Sequence, residues 1–329
     1  MRVISFLQES PIRAQGHVPG GFPTGAHTTM AIPFVRDFTF EYGVAERLSP
    51  LVTRVIADNP GPFTYTGTGV FIVGGTEEVC VIDPGPTTPD HVAAMDRALE
   101  GKRVTHVLVT HHHIDHSPLA APLAEKHGCK VYGYGTQPTP PQGGEIRLEA
   151  GDDLSFKPDV EIRDGHVFHG PDWTLEAIHT PGHTSNHLCY ALEKTKTLFS
   201  GDHIMGWSTS VVSPPDGDMG DYLASLRRIL DLDFNIIRPT HGPAIMDVRP
   251  FVQAYIDHRL NRETQIMGAI DAGLTNIGDI VAKLYADVDK RLHPAAAHSV
   301  LSHLIHMRKT GRVTAEGPDG LRQTYALAA

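Results

Sequence analysis

Short apolar runs bounded by turn residues predict most of the strands between residues 70 and 240. Residues 70–73 and 79–82 are apolar, and Gly74 and Gly75 begin the connection between them, a pattern typical of a β-hairpin. Further apolar runs of strand length lie at residues 104–109, 130–134, 175–178, 188–192, 197–200 and 236–237.

Helices are predicted between several of these strands. Residues 90–100, 118–127 and 222–230 carry the apolar spacing of a helix with one buried face, and Gly101 and Gly128 end the first two. Some strands therefore pair in hairpins while others alternate with helices. This mixture indicates an α+β fold rather than a purely parallel one.

The pattern changes after Pro250. A long helix is predicted over residues 251–272, a second from residue 276 or 278 to 285, and a third over 294–309 with a proline in its first turn. Residues 311–325 predict two short strands around a Gly-Pro-Asp-Gly turn. Three helices followed by a hairpin are typical of a winged helix, so we place a domain boundary near residue 250.

Composition limits the cellular setting and the possible partners. The 329 residues are 40% hydrophobic, but no apolar run approaches the roughly 20 residues that cross a bilayer, and the first residues lack the pattern of a signal peptide. Cys80, Cys129 and Cys189 form no CxxC pair and are odd in number, so we expect no disulfide framework and a cytoplasmic location. A net charge of −10 disfavours a protein that coats nucleic acid.

The most informative segment is Thr-His-His-His-Ile-Asp-His at residues 110–116, directly after a predicted strand. Imidazole nitrogens and carboxylate oxygens are ligands of zinc, iron and manganese. In a tight loop, His111 and His113 can point one way while Asp115 and His116 point another, so that one loop serves two adjacent metals. His112 would point away and is a poor ligand candidate.

The remaining ligands are expected from other strand ends, since one loop cannot complete two coordination spheres. His183 lies in Pro-Gly-His-Thr, Asp202 in Gly-Asp-His and His241 in Thr-His-Gly-Pro, each shortly after a predicted strand. Flanking glycine and proline fix tight turns at these positions. For His203, His187 and His179 we favour packing or supporting roles. Asp83 is equally consistent with a turn residue and with a group that contacts a ligand.

Taken together, the HxHxDH segment, the PGHT histidine, the GD aspartate and the HGP histidine resemble the metallo-β-lactamase-fold hydrolases over roughly residues 50 to 245. The resemblance implies an αββα sandwich. Together with the change of pattern after Pro250, it predicts an N-terminal extension at 1–45, a catalytic domain at 46–250 and a winged-helix-like domain at 251–329. The implied ligands are His111, His113 and His183 on a first metal, Asp115, His116 and His241 on a second, and Asp202 as a bridge.

Two divalent ions a few ångströms apart, most simply zinc although iron or manganese would also suit these ligands, can share a water and lower its pKa towards neutrality. Asp115 can also orient that water or accept its proton. An aspartate at position 202 resembles the thioesterases and nucleases of the family more than its true β-lactamases. A single-iron redox role, as in related persulfide dioxygenases, stays open as a minor alternative.

The C-terminal addition resembles the lactamase-β-like subfamily, which includes endoribonucleases acting on single-stranded RNA. Residues 251–329 hold nine Lys or Arg against eight Asp or Glu, so no strong basic patch is visible. A packing module that roofs the active site or forms a homodimer is therefore favoured over a nucleic-acid reader. We expect a hydrolase acting on a small ester, thioester or lactone, with a metal-dependent endoribonuclease as the alternative.

Overall fold

The structure is a computed structural model that describes residues 32–135 and 151–329. Its first sheet has seven strands, adjacent in chain order, with the first four antiparallel and the last four parallel. These strands are β1 (Glu46–Ser49), β2 (Val52–Ile56), β3 (Gly69–Val73), β4 (Glu78–Ile82), β5 (Arg103–Leu108), β6 (Lys130–Gly133) and β7 (Val160–Glu161).

A second sheet of five strands has the order β12-β11-β10-β9-β8. Its strands are β8 (Val167–His169), β9 (Thr174–His179), β10 (Leu188–Leu192), β11 (Thr197–Gly201) and β12 (Ile236–Pro239). Neighbouring strands from β8 to β11 are antiparallel, whereas β11 and β12 are parallel. The parallel pair brings the ends of β11 and β12 to the same edge of the sheet.

The two sheets face each other, with helices on both outer faces. These helices are α1 (Pro89–Ala98), α2 (Ala120–His127), α3 (Met219–Asp231) and α4 (Val248–Asp271). Alternation along β3 shows the layering: Val70 and Ile72 pack in a cluster with residues of α1 and α2, whereas Phe71 and Val73 pack between the sheets with Phe199. The αββα sandwich expected from the sequence is confirmed.

The C-terminal residues form a smaller unit with its own core. It comprises α5 (Ile277–Leu284), α6 (His293–Lys309), β13 (Val313–Thr314) and β14 (Ala326–Leu327). The predicted winged helix is confirmed, but β14 lies just beyond the predicted range of 311–325. The reason is that the Tyr325 N–H donates to the carbonyl of Thr275 at the start of α5, so pairing with β13 begins one residue later.

Helix α4 belongs to both cores. Its first half places Phe251 and Tyr255 against the sandwich, while its second half places Ile266 and Ile270 in the core of the winged helix. The boundary near residue 250 stays a prediction, but it falls at the start of this shared helix. Among the described residues, no helix is both long and apolar enough to cross a membrane.

Of the predicted N-terminal extension, residues 1–31 lie outside the described residues. The remainder runs along the sandwich, where Phe34 contacts the rings of Phe251 and Tyr255 edge-on. Further along, Phe38 stacks on Tyr65, which in turn stacks on Trp207 with ring centroids 4.7 Å apart. The segment therefore reaches from the outer helix layer towards the end of the sheets where the polar residues gather.

Candidate metal centre

The seven residues expected as metal ligands come together at one end of the sandwich. His111, His113, Asp115 and His116 follow β5, while the other three follow β9, β11 and β12. All seven are buried, with between 0% and 7% of their surface exposed. So many polar side chains buried in one place require partners that the hydrophobic layers cannot supply.

The distances divide the seven residues into overlapping groups. In each group the potential ligand atoms lie within 4.8 Å of one another. The groups are His111 with His113 and His183, His111 with His116 and Asp202, and Asp115 with His116 and His241. Asp202 lies between the sets, because its carboxylate oxygens are 3.5 Å from His116 Nε2, 3.9 Å from His183 Nε2 and 3.3 Å from His241 Nε2.

Several atoms that face this space have no hydrogen-bond partner. They are the Nε2 atoms of His116, His183 and His241 and the Oδ1 atoms of Asp115 and Asp202. Asp115 Oδ2 lies 3.1 Å from His241 Nε2, an ion-pair distance without the alignment of a hydrogen bond. Unpartnered buried acceptors are costly, and bound cations would satisfy them. The residues present therefore fit divalent metal ions.

The opposite ring nitrogens of these histidines are held by fixed acceptors. His183 Nδ1 donates to the carbonyl of Val211 at 2.7 Å, and His241 Nδ1 donates to the carbonyl of Gly67 at 3.1 Å. With Nδ1 as the donor, Nε2 is the atom directed at the centre, and its lone pair becomes available when a metal displaces any proton there. Histidines that bind metals are oriented in this way, so the geometry prepares both rings for coordination.

Asp83 performs the same task for His116. This fully buried carboxylate lies 2.9 Å from His116 Nδ1 and accepts the backbone N–H of Thr110 at 2.7 Å. The hydroxyls of Thr110 and Thr240 donate to it as well. Its backbone is also in the left-handed region at φ 48°. Asp83 therefore lies in a turn and also contacts His116, because the turn conformation directs its carboxylate towards that ring.

His113 is oriented differently and depends on a residue that the sequence analysis did not identify. Its Nδ1 faces His111 Nε2 at 2.9 Å, while its Nε2 is 3.7 Å from a carboxylate oxygen of Asp152. The same oxygen lies 3.3 Å from His112 Nε2, and His112 Nδ1 contacts Asn186. His112 therefore points away from the centre, as expected. No predicted strand ends shortly before Asp152, so the sequence gives no signal for it, and only the tertiary fold brings it to the histidines.

Three nearby histidines outside these groups pack against or hydrogen-bond to other parts of the protein. His203 packs its ring on Tyr222, and burial lowers its pKa to about 3. His187 accepts the backbone N–H of Asp202 on its Nε2 at 3.2 Å, so it supports the backbone of the centre. His179 Nε2 contacts a backbone carbonyl at 3.0 Å, away from the cluster.

The charges of the centre favour cations. Burial opposes ionisation of Asp115, yet His116 and His241 lower its pKa to about 2. Burial likewise disfavours a charge on His241, but Asp202 and Asp115 raise its pKa to about 10. The two carboxylates therefore stay ionised at neutral pH, and without metal they hold protons on the neighbouring rings. Metal ions would displace those protons.

A cleft opens onto the centre. Its walls are largely apolar, and none of its lining residues is a lysine or an arginine. Trp207 in this wall is held by the ring of Tyr65. The lining consists of Pro62, Phe63, Met205, Trp207, Ser208, Thr209 and Val211 around His113, Asp115, His183 and Asp202.

Comparison with known proteins identifies the family. The sequence profile of the metallo-beta-lactamase superfamily matches residues 66–241, and that of the beta-lactamase associated winged helix domain matches residues 277–320. A beta-lactamase-like protein 2 homolog of Drosophila melanogaster is 31% identical over 283 residues, covering 81% of this chain and 91% of the relative. An atrochrysone carboxyl ACP thioesterase of Aspergillus chevalieri is 34% identical over 229 residues, covering 68% and 67%.

A solved structure supports the fold over nearly the whole chain. A beta-lactamase domain protein from Burkholderia ambifaria superposes with a TM-score of 0.71 at 20% identity, covering 93% of this chain and 99% of that one. The superfamily typically binds divalent metals, which agrees with the cluster of buried histidines and aspartates. The chain belongs to the metallo-beta-lactamase superfamily, and it is a hydrolase of that superfamily with a C-terminal winged helix domain.

Proposed function

We propose that this protein hydrolyses a thioester of a neutral, largely apolar acyl group at a centre of two divalent metals. The proposed ligands are His111, His113 and His183 for one metal, Asp115, His116 and His241 for the other, and Asp202 for both. The unpartnered buried atoms and the grouping of potential ligand atoms support this assignment. Zinc is the first choice, and iron or manganese also suit the donor set.

When bound, such ions lower the pKa of a coordinated water and polarise a carbonyl group. The protein's own contribution is orientation and charge. Asp115 is ionised at neutral pH and has one unpartnered carboxylate oxygen, so it can orient the attacking water and accept its proton. The apolar walls of the cleft exclude other water from the reacting carbonyl and hold the acyl group against the centre.

The single observation that carries the proposal is the character of the cleft. Apolar walls around a cationic centre suit a neutral acyl group, whereas binding of a nucleic-acid strand depends largely on lysine and arginine near its phosphates. None of the residues that line the described cleft supplies such a charge. A thioester is preferred over an ester or lactone because one relative bears the name of a thioesterase.

The winged helix offers little charge to RNA either. Of the nine basic residues at positions 251–329, which include two of α4, six are buried or paired with carboxylates. These are Arg259, Arg262, Arg291, Arg308, Lys309 and Arg312. The structural observations therefore favour a small-molecule substrate over single-stranded RNA.

The test is turnover of matched substrates by the full, metal-loaded chain. Simple acyl thioesters, the corresponding oxygen esters, lactones and single-stranded RNA are compared, with free thiol released from the thioesters as the readout. We expect thioesters to be hydrolysed fastest and RNA to remain intact. Cleavage of RNA without thioester turnover would overturn the proposal.

A pair of histidine variants distinguishes the loss of a proposed ligand from the general effect of removing a buried histidine. His241→Ala is expected to abolish thiol release, since it removes a proposed ligand. His106→Ala is the control, because the ring of His106 is also partly buried but packs between the sheets against Phe168 and Trp173 rather than beside the proposed ligands. Equal loss of activity in both variants would show that the effect arises from folding rather than from the proposed centre.

A further inference from the structure

The segment from Asp202 to Val211 forms one wall of the cleft and is tied to helix α4. The hydroxyl of Tyr255 lies 2.5 Å from the carbonyl oxygens of both Met205 and Ser208, and it accepts the N–H of Met205 at 3.1 Å. The segment has no regular secondary structure of its own between these points. Its path therefore depends on side chains from α4.

Arg259, one helical turn after Tyr255, makes the second attachment. Its Nη2 donates to the carbonyl of Ser210, and its guanidinium lies 5.1 Å from the ring centroid of Tyr222. Only 3% of its surface is exposed, and among the described residues no carboxylate lies within ion-pair distance of it. Burying a cation without a counter-ion is costly, so a structural advantage must offset that cost.

The carbonyl that Arg259 holds lies between two groups that support the proposed metal ligands. The hydroxyl of Ser210 itself lies 2.6 Å from the carbonyl oxygen of Asp202 and 2.8 Å from that of His203. The next residue, Val211, presents the carbonyl that orients the ring of His183. One attachment point thus lies directly beside the supports of two proposed metal ligands.

We propose that Arg259 is a positioning residue of the metal centre. By fixing the carbonyl of Ser210, it places the Ser210 hydroxyl on the backbone of Asp202 and the Val211 carbonyl on the ring of His183. The inference rests on the proposed ligand roles of Asp202 and His183. It also assigns α4, the helix shared with the winged helix domain, a direct part in shaping the active centre.

Helix α4 offers a matched control. Arg262 is equally buried, on the same helix, but its guanidinium lies 4.4 Å from the ring centroid of Tyr285 in the core of the winged helix. Arg259→Met and Arg262→Met each remove one buried cation from α4. Both are expected to lower the melting temperature, whereas only Arg259→Met should disturb the centre.

The experiment measures zinc affinity of the full-length chain by competition with a chromogenic chelator. Residues that orient ligands typically contribute 10- to 100-fold in metal affinity, and Arg259 acts through one intervening residue, so we expect a loss of about tenfold in Arg259→Met. Arg259→Lys keeps the charge and one donor and should recover part of this loss. Ser210→Ala removes only the hydroxyl and should weaken zinc binding with little change in melting temperature.

Equal zinc affinity in Arg259→Met and Arg262→Met would overturn the positioning role, because the effect would then follow from stability alone. Should Arg259→Met fail to fold, an unchanged zinc affinity in Ser210→Ala overturns it. A wild-type chain that binds no zinc, iron or manganese would instead refute the proposed metal centre. The two failures are therefore distinguishable.

Discussion

Replacing Asp83 by asparagine is expected to weaken both the fold and the metal centre. Asp83 Oδ1 accepts the N–H of Thr110, while Oδ2 receives the hydroxyls of Thr110 and Thr240 and faces His116 Nδ1. Asparagine has the same size and tolerates the left-handed backbone at this position, so the change tests the charge rather than the turn.

The contacts set the magnitude. An asparagine can offer its one oxygen to the three donors that face Oδ2, but its amide group then meets the N–H of Thr110, and that bond is left unmade at a cost of about 1–3 kcal/mol. The other three bonds lose their charge assistance, at about 1 kcal/mol each. We therefore expect the free energy of unfolding to fall by about 4–6 kcal/mol. This agrees with the cost of breaking a buried charged pair.

Guanidinium unfolding in the presence of a chelator measures this loss without a contribution from bound metal. The control is Asp96→Asn, since Asp96 forms an exposed ion pair with Lys126 at 2.6 Å and should contribute less than about 1 kcal/mol. Zinc affinity of Asp83→Asn should fall by about 10- to 100-fold, because His116 loses its orienting acceptor. A destabilisation no larger than that of the control would refute the reasoning.

Three further predictions concern the centre and the winged helix. Asp202→Ala should abolish hydrolysis and lower metal content with the fold intact, and full turnover with both metals bound would contradict its bridging position. Protein purified without chelator should contain two divalent ions per chain, and a stoichiometry fixed near one in excess metal would indicate a mononuclear enzyme. Burial lowers the pKa of His303 to about 4, so the unfolded chain, with a pKa near 6.5, binds the proton first as the pH falls. The free energy of unfolding should therefore fall by about 3 kcal/mol between pH 6.5 and pH 4. His303→Gln should reduce this pH dependence of stability, and an unchanged pH dependence would refute the assignment.

The positions of the candidate ligands could be predicted because each follows an apolar run that ends in a tight turn. Such runs are local and periodic, and they place His183 and His241 at strand ends without knowledge of the fold. Strand β2 lacks such a run. Arg54 interrupts its apolar pattern, and only the structure shows that this arginine is buried against Phe38 and paired with Glu46 at 2.6 Å.

The residues that support the ligands could not be predicted, because sequence separation hides their contacts. Asp152 approaches His113 across nearly forty positions, and Arg259 reaches the segment after Asp202 from another helix. The start of α3, by contrast, carries a local signal. Asp218 caps this helix by accepting the N–H groups of Gly220 and Asp221, which moves its first turn ahead of the predicted start at residue 222.

The boundary near residue 250 illustrates a limit of composition as a guide to domains. The change in pattern there is real, but α4 begins at Val248 and its first half completes the outer layer of the sandwich. A chain cut at this point would lose Phe251 and Tyr255 from that core. Experiments on the role of the winged helix therefore require substitutions in the full chain rather than truncation.

The stacking of Tyr65 on Trp207 gives the protein a built-in optical probe. The chain has two tryptophans, and the other, Trp173, is buried between the sheets with its indole N–H directed at the carbonyl of Glu78. Since Trp207 lines the cleft, its emission should respond when a substrate displaces water there, whereas that of Trp173 should stay constant. In a Trp173→Phe chain the remaining fluorescence would report occupancy of the site alone, so binding could be followed in real time without a labelled ligand.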